Sequence, residues 1–186
     1  MWDKLLHKYL RAPYILNAEE LQAPTQQTAT IILLHGIGSS LSMWKPLVKK
    51  MPADVRIIAI DLLGFGASPK PNWNTYNVRT QADGLATTLF SMKIRGPVVV
   101  VGHSLGSLVA IEFARRYPLM TKSLVLVSPP LYNPDRIRKR RDFNPDDVLK
   151  RMYAIFASKP DAAGKILKLA SRYYLANKGI VGATID

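Results

Sequence analysis

Four short apolar runs punctuate the chain at regular intervals. Val98 to Val101 is four β-branched residues in a row, the pattern of a strand buried on both faces, because a half-solvated strand would alternate. Thr30 to Leu34 (TIILL) and Val55 to Ile60 (VRIIAI) read the same way, and Ser123 to Val127 adds a fourth. Between them the apolar spacing becomes helical. Trp44 to Met51 is expected to be a helix with Pro46 near its first turn. A longer helix is expected from about Thr75 to Met92, capped by Asn74 or Thr75, with Val78, Leu85, Leu89 and Met92 inward. From Leu105 a third runs to Arg115 and Arg116, where cations suit the negative helix end, and Pro118 stops it. Strand alternating with helix predicts a doubly wound, mostly parallel sheet of α/β class, since parallel neighbours need crossover connections.

The flanks differ from this core. At the N-terminus Trp2, Leu5, Leu6, Tyr9 and Leu10 share one helical face, with Lys4, Lys8 and Arg11 on others. This short amphipathic helix either docks on its own domain or lies on a membrane surface, and docking is the expected arrangement. Tyr14 to Leu16 is expected to begin an edge strand, and Ala23 to Thr28 a polar turn. Beyond Pro130 the chain turns charged and helix-rich, with helices expected at about 144–158 and 161–177. The organisation is therefore an N-terminal helix and edge segment (1–29), an α/β core (30–130) and a helical segment (131–186).

Composition narrows the function classes. The chain has 186 residues, 48% apolar and 21% charged, enough to bury the core of one ordinary domain. No run approaches the ~18 apolar residues of a membrane span. The charged N-terminus lacks the apolar region of a secretory signal, so the cytoplasm is the expected compartment. There are no cysteines and only three histidines, spread along the chain, so neither a disulfide, a thiolate site, a resident metal nor a cofactor is expected. The net charge of +13 is mostly dispersed. Its one cluster, Arg136, Arg138, Lys139, Arg140 and Arg141, is bracketed by Asp135 and Asp142 and carries no aromatic platform for bases. Solvated surface is expected there rather than nucleic acid, with an anionic membrane or substrate less favoured.

The strand at Val98 to Val101 runs into Gly102-His103-Ser104-Leu105-Gly106 and then at once into a helix. Turning a strand into a helix within one residue forces Ser104 into strained backbone angles, and the crowding demands flanking positions without side chains. Gly102 and Gly106 meet that demand. The G-x-S-x-G turn holds a hydroxyl clear of the sheet and puts the Leu105 amide at a helix N-terminus, where an oxyanion would form. The rival reading, a turn cradling a phosphate, lacks both a phosphate-loop lysine and a G-x-G-x-x-G. After Thr30 to Leu34 comes His35-Gly36-Ile37-Gly38-Ser39-Ser40, a loop whose glycines mark close backbone approach and whose Ile37 amide is the candidate second oxyanion donor. His35 is read as a loop anchor. Asp61, opening Asp61-Leu62-Leu63-Gly64-Phe65-Gly66-Ala67-Ser68, is read as a loop organiser.

HGIGSS, DLLGFGAS and GHSLGS at these spacings resemble the α/β-hydrolase superfamily in its serine-nucleophile, esterase-like branch, over about residues 30–130. The resemblance implies Ser104 as nucleophile, the amides of Ile37 and Leu105 as oxyanion hole, and a small-molecule ester-like substrate. It also implies that 131–186 is a helical cap, whose Met152, Ile155, Phe156, Leu167, Tyr173 and Tyr174 either line an acyl pocket or pack the cap on the core. In the family a histidine follows the serine, and this chain has none beyond His103. With the Ser123 to Val127 strand left as an apolar edge, the expectation is a hydrolase cut short before its last strands. The alternatives are a catalytically inactive, membrane-peripheral binding module and a site completed by another chain. Acyl transfer, C–C bond hydrolysis and haloperoxidation would use the same turn, and oligomeric state is not written in the sequence.

Overall fold

Each apolar run becomes a strand of one five-stranded sheet in the computed structural model, which describes residue 2, residues 4–74 and residues 76–130. The chain divides into two units, Met1–Leu131 and Tyr132–Asp186, and the expected cap with its six apolar residues lies outside the described residues. The strands are β1 (Ala18–Gln22), β2 (Ala29–Leu34), β3 (Val55–Ile60), β4 (Val98–His103) and β5 (Thr121–Val127). Their spatial order is β1-β3-β2-β4-β5. β1 pairs antiparallel with β3, and every other pairing is parallel. The doubly wound, mostly parallel sheet expected from the alternating pattern is what the chain adopts.

Three helices make the crossovers: α1 (Lys45–Val48), preceded by a 3-10 turn at Leu41–Trp44, α2 (Val78–Ser91) and α3 (Leu105–Arg116). From β2 the chain moves outward to β3, then crosses back over β2 to β4 and continues to β5. Right-handed crossovers in opposite directions put their helices on opposite faces. On one face Leu41 and Trp44 pack against Ile31, Leu33, Ile57 and Ala59. The alternate residues Ile32, Leu34, Ile58 and Ile60 point the other way and are fully buried. There α2 and α3 are joined by Asp83, which accepts from Arg116 Nε at 2.8 Å and Tyr117 Oη at 2.7 Å. Each of these large side chains contributes about 1.5–3 kcal/mol through burial.

Element ends depart from the sequence pattern for local reasons. α2 starts at Val78 and not near Thr75, because Asn77 is the cap and accepts from Thr80 N at 2.9 Å. Asn74 instead accepts from Tyr76 N at 2.7 Å, and Tyr76 has φ of +52°, a conformation through which no helix continues. α1 ends at Val48 because Lys50 and Met51 donate three residues back, to Leu47 and Val48, and Pro52 disfavours helix before it. Tyr14 and Leu16 are buried but lie outside the sheet. Leu16 N donates to Thr88 Oγ1 of α2 at 2.8 Å, so the edge strand begins only at Ala18. The N-terminal segment coils as a π-helix at Lys4–Tyr9 with no buried residue, leaving Trp2, Tyr9 and Leu10 at least 66% exposed.

Phe113 sits at the centre of the α3 packing, fully buried and with its ring 5.4 Å from that of Tyr117. Phe113→Ala is expected to destabilise the chain by about 3–5 kcal/mol, read as a lowered urea midpoint at unchanged slope.

Candidate active site

Ser104 occupies the single position between the last residue of β4 and the first of α3, with φ of 52° and ψ of −114°. A non-glycine residue held there stores about 1–3 kcal/mol of strain and persists only when its surroundings over-determine it. The surroundings are specific. Ser104 N donates to Val127 O of β5 at 2.9 Å, and its carbonyl accepts from Ser107 N at 2.9 Å. The buried Ser107 hydroxyl donates to Gly102 O at 2.6 Å and lies 3.2 Å from Val127 O. Strand, turn and helix are thus sewn together on both sides of the serine.

The flanking glycines are required by space. A Cβ on Gly102 would lie 2.6 Å from Ser107 N, and one on Gly106 would lie 2.7 Å from His35 O. A Cβ on Gly36 would fall 2.8 Å from His103 Nδ1 and 3.2 Å from Ser104 Cβ. Leu34 pairs with Gly102, so β2 and β4 end level and their loops leave in opposite directions. This is the switch point of the sheet, the crevice where open α/β folds hold ligands. Gly36, Gly102, Ser104, Leu105 and Gly106 all meet there, and half-buried Ile37 follows Gly36 in the β2 loop. Leu105 opens α3, so its N–H has no acceptor within the helix.

Behind the crevice lies a polar hub that fixes the two loops. The Asp61 carboxylate accepts from Leu41 N at 2.7 Å and from Asn17 Nδ2 and Ala67 N at 2.8 Å. His35, fully buried, accepts from Leu62 N at 3.0 Å through Nε2, while Nδ1 lies 2.7 Å from Gly36 O. A carbonyl only accepts, so these bonds assign the proton to Nδ1. Both residues perform as the loop anchor and loop organiser their positions suggested. Desolvation first, and His103 nearby in smaller measure, lower the pKa of His35; the Gly36 carbonyl and Asp61 oppose this.

His103 precedes Ser104 and has its pKa lowered by desolvation. Its Nδ1 is buried with no hydrogen-bond partner among the described residues, and its ring makes no hydrogen bond to Ser104. His7 stacks on Tyr14 at 3.6 Å. Two polar residues went unnoticed in the sequence: Ser107, the lock of the turn, and Gln81, whose buried amide accepts from Leu63 N at 2.8 Å and donates to Leu63 O at 2.9 Å. The available signal was a polar residue at an inward helical position of α3 and α2. Among the described residues no trio of carboxylates and imidazoles is arranged to hold a metal, and no helix is long and apolar enough to cross a membrane.

A family model described as alpha/beta hydrolase fold matches residues 29–170. An uncharacterised Mycobacterium tuberculosis protein is 41% identical over 98 residues, covering 53% of this chain and 28% of its own. The Arabidopsis thaliana protein named "Probable lysophospholipase BODYGUARD 1" is 32% identical over 120 residues, covering 61% and 26%. The chain therefore spans little more than a quarter of the length of these curated relatives. A thermophilic esterase from Thermogutta terrifontis superposes with a TM-score of 0.55 at 28% identity, over 81% of this chain and 59% of the other.

The hub predicts an acid response. His35 folds with its pKa below the ordinary 6.5, so the unfolded chain takes the proton more readily than the folded one. Its contribution is present in full above that pH and is lost as acidification carries the protein through the lowered folded value. The thermal midpoint is expected to fall from about pH 6.5 downward, and His35→Gln to flatten that slope while lowering the midpoint at neutral pH; an unchanged slope would remove His35 as its source.

Proposed function

The chain belongs to the alpha/beta hydrolase fold family, and on that premise we propose that it is the core of a serine hydrolase acting on a small ester-like carbonyl substrate, with Ser104 as nucleophile. The observation that carries this reading is the serine's own backbone, at φ of 52° between a strand and a helix. Nothing in the packing of β4 on α3 calls for a serine at that strained corner, whereas a nucleophile benefits from being held rigidly at the mouth of the crevice. The esterase and the lysophospholipase among the similar proteins are both named for ester cleavage, which supports the substrate class.

The chemistry follows from the positions. Ser104 Oγ attacks the carbonyl carbon as its proton passes to a base. The carbonyl oxygen, now an oxyanion, rests on the N–H groups of Leu105 and Ile37, each such donor being worth about 3 kcal/mol in the transition state. Collapse expels the alcohol with that proton, and water then attacks the acyl-serine, releasing the acid and restoring the hydroxyl. The glycines Gly36, Gly102 and Gly106 serve by letting the two loops close on the reacting carbonyl.

The base is a histidine that these 186 residues do not supply. His35 uses both ring nitrogens to hold the loops, so taking a further proton at Nε2 would break its bond from Leu62. His103 lies against Gly36, and His7 is stacked in the N-terminal segment. Without the imidazole, positioning and the oxyanion hole sustain only about 10³-fold to 10⁴-fold acceleration over water.

Hydrolysis of short-chain p-nitrophenyl esters by the purified chain tests this. Turnover is expected to be slow, within that residual range, and the intact mass after incubation is expected to show an acyl group on Ser104 that is absent from Ser104→Ala. No acyl group on Ser104 of the folded chain would overturn the nucleophile assignment and favour a non-catalytic binding module.

A further inference from the structure

A second concavity lies away from the crevice, where the N-terminal segment crosses α2 and α3. Its volume is about 420 Å³, and His7, Arg11, Tyr14, Arg79, Asp83 and Arg116 line it. Three guanidinium groups thus come together from three separate elements: the segment before β1, the first turn of α2 and the last turn of α3. One carboxylate faces them. Asp83 is already engaged by Arg116 at 2.8 Å and by Tyr117 Oη at 2.7 Å, which neutralises Arg116. The side chains of Arg11 and Arg79 make no ion pair or hydrogen bond among the described residues. The acid that Arg79 does influence, Glu112, is bonded to Arg115 at 2.8 Å.

Two further features favour an anion in the same cavity. Asn77 and Thr80 also line it, so the N-terminal end of α2, a 14-residue helix with no acidic residue in its first turn, opens onto it. Asn77 takes the Thr80 N–H, which leaves the N–H groups of Val78 and Arg79 without helical acceptors at the positive end of the dipole. The wall opposite is held in place. His7 Nδ1 donates to Ala12 O at 2.7 Å and the ring stacks on Tyr14, while Arg11 has φ of +56°. A bend of that kind in a long-side-chain residue is strained unless something fixes it.

We infer that this cavity binds a phosphate group carried on a small organic body. Forked guanidinium donors and first-turn N–H groups match the several oxygens and the double charge of a phosphate ester. The volume exceeds what a bare phosphate fills and falls within the range of small-ligand sites. The same chemistry is offered by a soluble phosphomonoester and by the headgroup of an anionic lipid. The exposed Trp2, Leu5 and Tyr9 on the adjoining segment would meet acyl chains in the second case. The site does not use Ser104, so it stands or falls apart from the esterase reading.

Isothermal titration of the 186-residue chain with glycerol 3-phosphate, and flotation with phosphatidylcholine vesicles with or without phosphatidic acid, test the inference. Expected is saturable one-site binding of glycerol 3-phosphate, weakened about tenfold by Arg79→Gln and again by Arg11→Gln, and unchanged in Ser104→Ala. Both arginines are solvent-exposed, so the variants are expected to fold, as circular dichroism would verify. Flotation that requires phosphatidic acid and is lost in the double variant identifies a lipid headgroup as the source. Binding of glycerol 3-phosphate without flotation identifies a soluble ester. No saturable binding by the folded chain in either assay overturns the inference, as does binding undiminished in the Arg11→Gln, Arg79→Gln double variant.

Discussion

The close approach of β4 and α3 at Ser104 is the constraint on which the rest of the structure depends. Helix and strand meet so tightly there that a single methyl group on Gly102 or Gly106 would be driven into backbone atoms of Gly106, Ser107, Leu34 or His35. Backbone of this kind cannot move aside as a flexible side chain can. The serine between those glycines therefore inherits its φ of 52° from packing that spans three strands: β4 carries it, β5 bonds its amide, and the end of β2 presses on Gly106. Strain at the corner is sustained by contacts elsewhere, as expected where local conformation is over-determined.

The loops that face the serine are held by a different kind of interaction. A buried carboxylate and a buried neutral imidazole, Asp61 and His35, take up backbone N–H groups from the β2 and β3 loops. Buried polar groups are stabilising only when satisfied, and a partly satisfied network is worse than an apolar core. That all of these donors find acceptors lets the loops stay close to the crevice with little freedom. Rigid glycine packing on one side and a satisfied hydrogen-bond hub on the other meet at the end of the sheet, where half-buried Ser104 and a helix-initial N–H stand together.

Much of this could be read from the residues alone, for identifiable reasons. Val55 to Ile60 announced a buried strand because full burial removes alternation, and its last four residues are buried. Val98 to Val101 reads the same way and is a strand, yet it alternates between buried and half-buried residues among the described ones. Gly102 and Gly106 announced the turn because no other residue fits it. His35 and Asp61 were legible as structural residues from their place directly after strands. What was not legible depended on side chains acting at a distance in sequence. Thr88 takes the amide of Leu16, so a stretch that reads as strand packs on a helix instead. Gln81 and Ser107 look like ordinary polar helix residues until the loop and strand they bond are in place. Asn77 rather than Asn74 caps α2 because a left-handed Tyr76 intervenes, a choice the pattern of asparagines could not make.

The account's central claim, that Ser104 is a nucleophile presented without its base, is tested most directly by intact-mass analysis of the chain with a fluorophosphonate. One adduct is predicted, on Ser104, forming slowly and absent from Ser104→Ala. An adduct formed within seconds would contradict the missing base, showing that a group inside these 186 residues activates the hydroxyl. No adduct on Ser104 after prolonged exposure of folded protein would contradict the nucleophile itself.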